Sequence, residues 1–249
     1  LIPLRAALDR ARYGGKAAQL AQALAAGLPV PEGWALPADE TALPVPTLPG
    51  NWAVRSSAVD EDGATASFAG QHATLLHVPG DRLTEAVAVV TASGADSAAY
   101  RARLGLAPSA AIPVVIQEMV AATCAGVLFT RSPLTGAAEL WIEASWGLGE
   151  AVVQGLVTPD QWRLAPDGTL LAFRPGEKDR EIVAGEGGTV ERPITGDRVS
   201  APCLDAAALA ALVALVETLD RTFPGAHDVE FAFDHAGRLF LLQRREITR

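Results

Sequence analysis

The last quarter of the chain constrains its fold most. Two short apolar runs, VEFAF and RLFLLQ, are joined through Asp234-His235-Ala236-Gly237. Runs of that length, rich in aromatic and branched residues and split by turn formers, read as two antiparallel strands of a hairpin. Strand alternation then sorts the polar residues. Glu230 on one strand and Gln243 on its neighbour can point to the same face, and Arg245, two residues beyond Gln243, joins them there. A carboxylate and an amide oxygen suit Mg²⁺, which takes hard oxygen ligands and completes its shell with waters and phosphate oxygens. An adjacent arginine suits the phosphates, through bidentate hydrogen bonds. The same spacing also fits an ordinary surface hairpin with charged positions, and spacing alone does not separate the two readings.

Upstream, strand-like and helix-like segments intermix. GGKAAQLAQALAAGLPVPEGW carries Leu20, Leu24 and Leu28 at four-residue spacing, which predicts a helix with one apolar stripe. Gly27 is placed to end it, and Pro29 and Pro31 prevent continuation. The Pro-rich TALPVPTLPGN reads as a stiff connector, and NWAVRSSA and HATLLHV as strands. Helices are expected from Asp81, as N-cap, to about Ser93, and again near Ala98 to Leu104. IPVVIQEMV, AGVLFT and ELWIEAS give further strands, GLGEAVVQG a short helix, and Asp167-Gly168 a hairpin turn. A helix from about Asp205 to Arg221 precedes the closing hairpin. No steady βαβ rhythm emerges, which favours a two-lobed α+β protein over a doubly wound sheet.

Three more clusters could carry chemistry. Gly14-Gly15-Lys16 precedes a helix, so its backbone and dipole could approach an anion, with Lys16 adding charge. It lacks the spacing of a Walker A loop, and a plain helix start explains it equally. Arg55 ends an apolar strand beside two serines, and the small polar turn from Ser67 to Gln71 follows. Gly70 there allows close backbone approach, and Thr74 lies on the next strand, so the turn suits a flap over phosphates or a simple exposed loop. The segment Gln117-Glu118-Met119-Val120 ends a buried strand, where a nucleotide base or plain core packing would account for it.

Composition excludes several classes. A formal net charge of −9 argues against bulk nucleic-acid or anionic-membrane binding. Apolar residues make up 49% of the 249, which supports a folded core. The interrupted apolar residues of LIPLRAALDRARYGGK form no signal-peptide core, and no apolar run approaches the roughly 20 residues of a membrane helix. Cys124 and Cys203 are far apart in sequence, with neither metal spacing nor a disulfide framework. A cytoplasmic setting is the expectation.

Taken in order, the segments GGKAAQLAQALAAGLPVPEGW, AVRSSAVDEDGATASFAGQHATLLHV, IQEMV, AGVLFTRSPLTG, ASWGLGEAVVQGLVTPDQW and DVEFAFDHAGRLFLLQRR resemble the N-terminal ATP-binding domain of the phosphoenolpyruvate synthase, pyruvate phosphate dikinase and rifampin phosphotransferase family. The resemblance implies an ATP-grasp fold. It implies a lobe of residues 1–116 carrying the flap and phosphate ligands, and a lobe of 117–249 carrying the adenine segment and the Mg²⁺ hairpin. Lys16, Arg55 and Arg245 would hold the ATP phosphates, with Gly70 and Thr74 in the flap. Gln117, Glu118, Met119 and Val120 would seat the adenine, and Glu230 and Gln243 would ligate Mg²⁺.

In that family ATP is cleaved to AMP, and a histidine on a swivelling domain carries the phosphoryl group to its acceptor. His72, His77, His227 and His235 do not match that carrier context, so the resemblance implies a carrier on a partner protein or another part of the chain. Three departures stand out: a shorter stretch between GWALP and NWAVRS, Ser132 where the family has Asp or Asn, and Glu246 where it has Pro. Two alternatives stay open: a stand-alone ATP-grasp kinase or ligase acting directly on a small molecule, and a non-catalytic nucleotide-binding subunit, which these departures motivate.

Overall fold

A computed structural model describes residues 1–40, 45–58, 62–63, 66–67, 73–96 and 112–247. The expected helix near Ala98 to Leu104, the turn around Gly70 and the residue His72 lie outside them. The chain divides into two compact units. One comprises Leu1–Gly27, Pro31–Met119 and Glu186–Gly188, the other Leu28–Val30, Val120–Gly185 and Thr189–Arg249. Met119 closes the long middle segment of the first unit. The α+β class expected from the sequence is the class observed.

The first unit is built on a five-stranded antiparallel sheet in the order β1 (Ile2–Pro3), β2 (Gly33–Leu36), β7 (Val114–Glu118), β3 (Asn51–Ser56), β6 (Thr74–Pro79). A two-residue pair, β4 (Asp62–Gly63) and β5 (Ala66–Ser67), stands apart. One face of the large sheet packs Trp52, Val54, Val78, Val114 and Ile116 against Leu83, Val87 and Val90 of helix α2 (Leu83–Asp96). Asp81 is not the cap of α2 as expected. It sits inside a 3-10 turn, Gly80–Arg82, that leads into the helix.

Helix α1 (Arg10–Ala25) starts earlier than its periodicity suggests, because the Asp9 carboxylate accepts from the N–H groups of Ala11 and Arg12 and adds a first turn. The helix is then interrupted at Gly14, whose φ of 83° and ψ of 173° are not helical. Its end is as expected, with Gly27 in the left-handed region at φ 75°.

The second unit carries a six-stranded antiparallel sheet. Its order is β11 (Leu170–Arg174), β10 (Asp160–Leu164), β9 (Leu140–Trp146), β8 (Ala122–Phe129), β14 (Ala226–Asp234), β15 (Leu239–Ile247). Val229, Leu128, Ile142 and Trp162 are mutual partners across four of these strands, and all four are buried. They define the apolar face. Helix α3 (Glu150–Val153) follows β9, and strands β12 (Arg180–Gly185) and β13 (Gly188–Pro193) pair apart from the large sheet.

Helix α4 (Ala206–Thr222) is capped by Asp205, whose carboxylate accepts from the Ala208 N–H at 2.8 Å. Leu212, Leu215, Val216 and Leu219 form its buried stripe. Burying each such side chain is worth roughly 1.5–3 kcal/mol. That exceeds the spread of helix propensities, at most about 1 kcal/mol per residue outside proline. Packing therefore holds α4 in place.

Beneath β10 lies a buried ion pair. Lys178 and Asp160 are both inaccessible, with Nζ 2.6 Å from Oδ1. The carboxylate also accepts from the N–H groups of Gly176 at 2.7 Å and Cys203 at 2.8 Å. A buried charge so fully partnered escapes the penalty of isolation. Cys124 and Cys203 are free and buried, and burial pushes both thiols up, Cys124 to about 12. Both stay protonated and unreactive at neutral pH.

Candidate functional site

In the first unit, Arg55 is the partner of Thr74 on β6 and of Val115 on β7, and Gln117 is the partner of Ala53. Opposed residues of antiparallel strands share a face, so Arg55, Thr74 and Gln117 lie together on the face opposite the α2 core. Gln117 is 2% exposed and its Nε2 meets no acceptor among the described residues. Glu118 lies on the other face. Its N–H donates to the Glu32 carbonyl, and the Met119 N–H donates to the Asn51 carbonyl. Those two backbone N–H groups are thus already engaged.

Lys16 reaches the same region from α1. It is 5% exposed, and its Nζ donates to the Ser56 carbonyl at 2.8 Å, one peptide from Arg55. The helix start is not the open anion cradle that Gly14-Gly15-Lys16 suggested. The Gly15 N–H donates to the Ala58 carbonyl at 3.2 Å and the Ala17 N–H to Ser57 Oγ at 2.9 Å. What Lys16 brings is its side-chain charge.

In the second unit, Glu230 and Gln243 are direct partners, and Asp228 is the partner of Arg245. All four point away from the apolar row through Val229. A β-bulge makes this arrangement. Glu230 opposes Gln243 while Phe231 opposes Leu241, so Leu242 is the extra residue. Gln243 is 3% exposed, and Val120, at the start of the unit, is half-buried.

A carboxylate oxygen and an amide oxygen fixed side by side are hard donors that fit Mg²⁺ with phosphate and water completing its shell. Among the described residues no group of three or more His, Cys, Asp or Glu converges on a metal position. A metal here would lean on the nucleotide for its remaining ligands.

The polar face extends beyond what sequence reasoning singled out. Glu230, Val127, Glu143, Gln161 and Arg174 form one row across β14, β8, β9, β10 and β11. Glu143 accepts from Trp141 Nε1 at 3.1 Å and Gln161 Nε2 at 3.0 Å. Next to it, the Arg163 guanidinium binds Glu139 through two hydrogen bonds and holds that carboxyl below its ordinary range. A cavity of about 340 Å³ opens here, lined by Ser132, Thr135, Trp141, Gln161, Arg163 and Arg174 among others. Asp228 was legible from its two-residue spacing to Glu230. Glu143 was not, because only the register reveals that it shares the row.

The departures acquire a structural meaning. Ser132 Oγ accepts from the Thr135 N–H at 3.3 Å, closing its turn as an Asp or Asn side chain would. Glu246 is the partner of His227 and lies on the face opposite Gln243 and Arg245. Strand alternation thus turns its carboxylate away from Arg245. Of the histidines, His235 is exposed in the β14–β15 turn, His77 is half-buried on β6, and His227 is wholly buried.

Residues 46–249 match the family described as pyruvate phosphate dikinase, AMP/ATP-binding domain, and the chain belongs to that family. It is 39% identical over 201 residues to a probable phosphoenolpyruvate synthase of Methanothermobacter thermautotrophicus, covering 79% of this chain and 29% of that one. To the prodigiosin synthesizing transferase PigC of Serratia marcescens it is 36% identical over 287 residues, covering 97% and 32%. To a rifampicin phosphotransferase of a Streptomyces species it is 38% identical over 203 residues, covering 79% and 23%. The chain thus spans about a third or less of the length of these relatives. Among solved structures, the ADP complex of PurK, N5-carboxyaminoimidazole ribonucleotide synthetase, aligns over 96% of this chain and 46% of its own at 9% identity. Its TM-score of 0.48 is too low to bear on fold or chemistry.

Proposed function

We propose that this chain is an ATP-grasp nucleotide domain that binds Mg-ATP and provides the phosphorylating half of a phosphotransferase. The observation that carries the reading is the pairing of Glu230 with Gln243, with Arg245 on the same face, in a chain of this family. In this reading Lys16, Arg55 and Arg245 hold the phosphates, and Gly70 and Thr74 belong to the flap. The segment Gln117, Glu118, Met119 and Val120 seats the adenine, where the buried amide of Gln117 is a donor suited to a ring nitrogen. Glu230 and Gln243 would hold Mg²⁺, which when bound neutralises phosphate charge and draws the oxygens into line. By function, we assign the flap and the Lys16 and Arg55 phosphate ligands to a lobe of residues 1–116, and the adenine segment and the Mg²⁺ hairpin to a lobe of 117–249.

What the chain's own groups do is position and neutralise, the main demands of phosphoryl transfer. The α–β bond of ATP breaks to leave AMP, the β–γ bond breaks with water taking the γ-phosphoryl group as inorganic phosphate, and the β-phosphoryl group passes to a carrier histidine on a swivelling domain, in a partner protein or elsewhere in a longer chain. The setting is cytoplasmic, where ATP is abundant. Among the described residues no helix is long and apolar enough to cross a membrane.

Incubation with Mg-ATP and a swivelling-domain protein of this family, assayed for AMP and phosphohistidine, tests the reading. AMP with labelled histidine is the expected result. ADP without a phosphoprotein would replace it with direct transfer to a small molecule, and tight binding without turnover would leave a nucleotide sensor.

A further inference from the structure

Helix starts need acceptors for their first N–H groups, and the usual source is the side chain of the N-cap residue. In the helical segment that begins at Gly15 the N-cap position is Gly14, which has no side chain. Nor can it gain one. Its φ is +83°, and a Cβ there would fall 1.4 Å from the Ser57 carbonyl oxygen.

The missing acceptor comes from 40 residues away. Ser57 Oγ accepts from the Ala17 N–H, the third of the segment, at 2.9 Å, which is the bond an N-cap hydroxyl would make. The flanking bonds run between the same two stretches. The Gly15 N–H meets the Ala58 carbonyl at 3.2 Å, and Lys16 Nζ meets the Ser56 carbonyl at 2.8 Å. Three consecutive residues, 15 to 17, are thus held by three consecutive residues, 56 to 58. Ser57 is itself inaccessible and tied down, its N–H donating to the Pro113 carbonyl at 2.8 Å. Since Arg55 directly precedes Ser56 on β3, the same clasp fixes the Lys16 ammonium relative to the Arg55 backbone.

We infer that Ser57 is a positioning residue: as a cap supplied from a distant part of the same chain, its hydroxyl sets the start of the segment at Gly15 so that Lys16 and Arg55 present their charges to one anion. This rests on the reading that those two cations receive the ATP phosphates. Ser56 supplies the internal control. It is 1% exposed, but its Oγ has no partner among the described residues, so removing that hydroxyl removes no bond.

Two readouts test the inference, one of which needs no nucleotide. In Ser57→Ala, a buried Ala17 N–H is left without its acceptor, and the released clasp should raise the acylation rate of Lys16, read by mass spectrometry, about tenfold over Ser56→Ala. The Kd for Mg-ATP should rise about tenfold in the same variant, with that for adenosine unchanged, because only the phosphate contacts move. On a Lys16→Met background, Ser57→Ala should add nothing further to the ATP loss.

Wild-type acylation and wild-type ATP affinity in folded Ser57→Ala would overturn the inference. So would equal loss of ATP and adenosine, which marks general loosening. Should Ser57→Ala not fold, Ser57→Cys keeps most of the volume while accepting poorly, and carries both readouts. If the wild type binds no ATP, the functional reading fails while the acylation rate still decides the role of Ser57.

Discussion

The molecule buries two lysines, and their surroundings differ. Lys178 meets the Asp160 carboxylate at 2.6 Å in a site from which both are excluded from solvent. Lys16 meets a backbone carbonyl at 2.8 Å, at the start of a helix, beside Arg55. A carboxylate orients an ammonium and also cancels its charge, whereas a neutral carbonyl orients it and leaves the charge in place. Burial alone therefore does not mark a functional cation. The first arrangement is that of a structural pair, and the second sets an ammonium against a neutral acceptor one residue from Arg55.

Removing each ammonium in turn separates the two roles. Lys178→Met should strand the Asp160 carboxylate in the interior and destabilise the second unit by about 3–5 kcal/mol, measured by denaturant unfolding. Asp160→Asn added to that variant should recover part of the loss. Lys16→Met takes an ammonium away from the neutral Ser56 carbonyl. Its stability should fall much less, while the Mg-ATP Kd should rise roughly 30-fold, as expected for one hydrogen bond to a charged group. Equal unfolding losses in the two variants would erase the distinction.

The same contrast runs through the two faces of β14 and sharpens it. Glu230 lies on the polar face, and His227 is buried on the other, its ring edge-on to Phe223 with centroids 6.2 Å apart. Burial first, and then the nearby Arg244 guanidinium, push the His227 imidazole below its ordinary value of 6.5. A base whose folded pKa is depressed binds fewer protons than in the unfolded chain. Stability contributed by neutral His227 is therefore full above pH 6.5 and declines as pH falls from there towards the lowered folded value, by at most about 1.4 kcal/mol per pH unit. His227→Phe should flatten that acid limb in urea titrations from pH 7.5 to 5. A limb unchanged by the substitution would assign it to carboxylates.

The smallest effect is expected at Glu246, on the His227 face. Glu246→Gln should leave the Mg-ATP Kd within about twofold, as usual for a surface substitution away from a site. A several-fold gain in affinity would mean that its charge does reach the phosphates.

Much of the architecture was legible because it is written locally. The helix after Asp205 showed its cap and its stripe, the Asp167-Gly168 turn its hairpin, and the closing segment its two strands. Period-two spacing likewise carried Gln243 and Arg245 to one face. The break of α1 at Gly14 was not legible, because the neighbour that caps the segment after it, Ser57, is 40 residues distant and nothing near Gly14 announces a left-handed residue there.

By itself the sequence determined the α+β class, the family and the types of residue available to an anion and a hard cation, since composition, periodicity and motif order are properties of the chain. Tertiary structure decided which of those residues oppose one another. Leu241 and Gln243 are two apart, and in an unbroken strand they would share a face. The extra residue at Leu242 sends Leu241 into the core with Phe231 and leaves Gln243 beside Glu230. Such a bulge is a matter of register between strands, set by which pairing buries the apolar set, and no single strand encodes it.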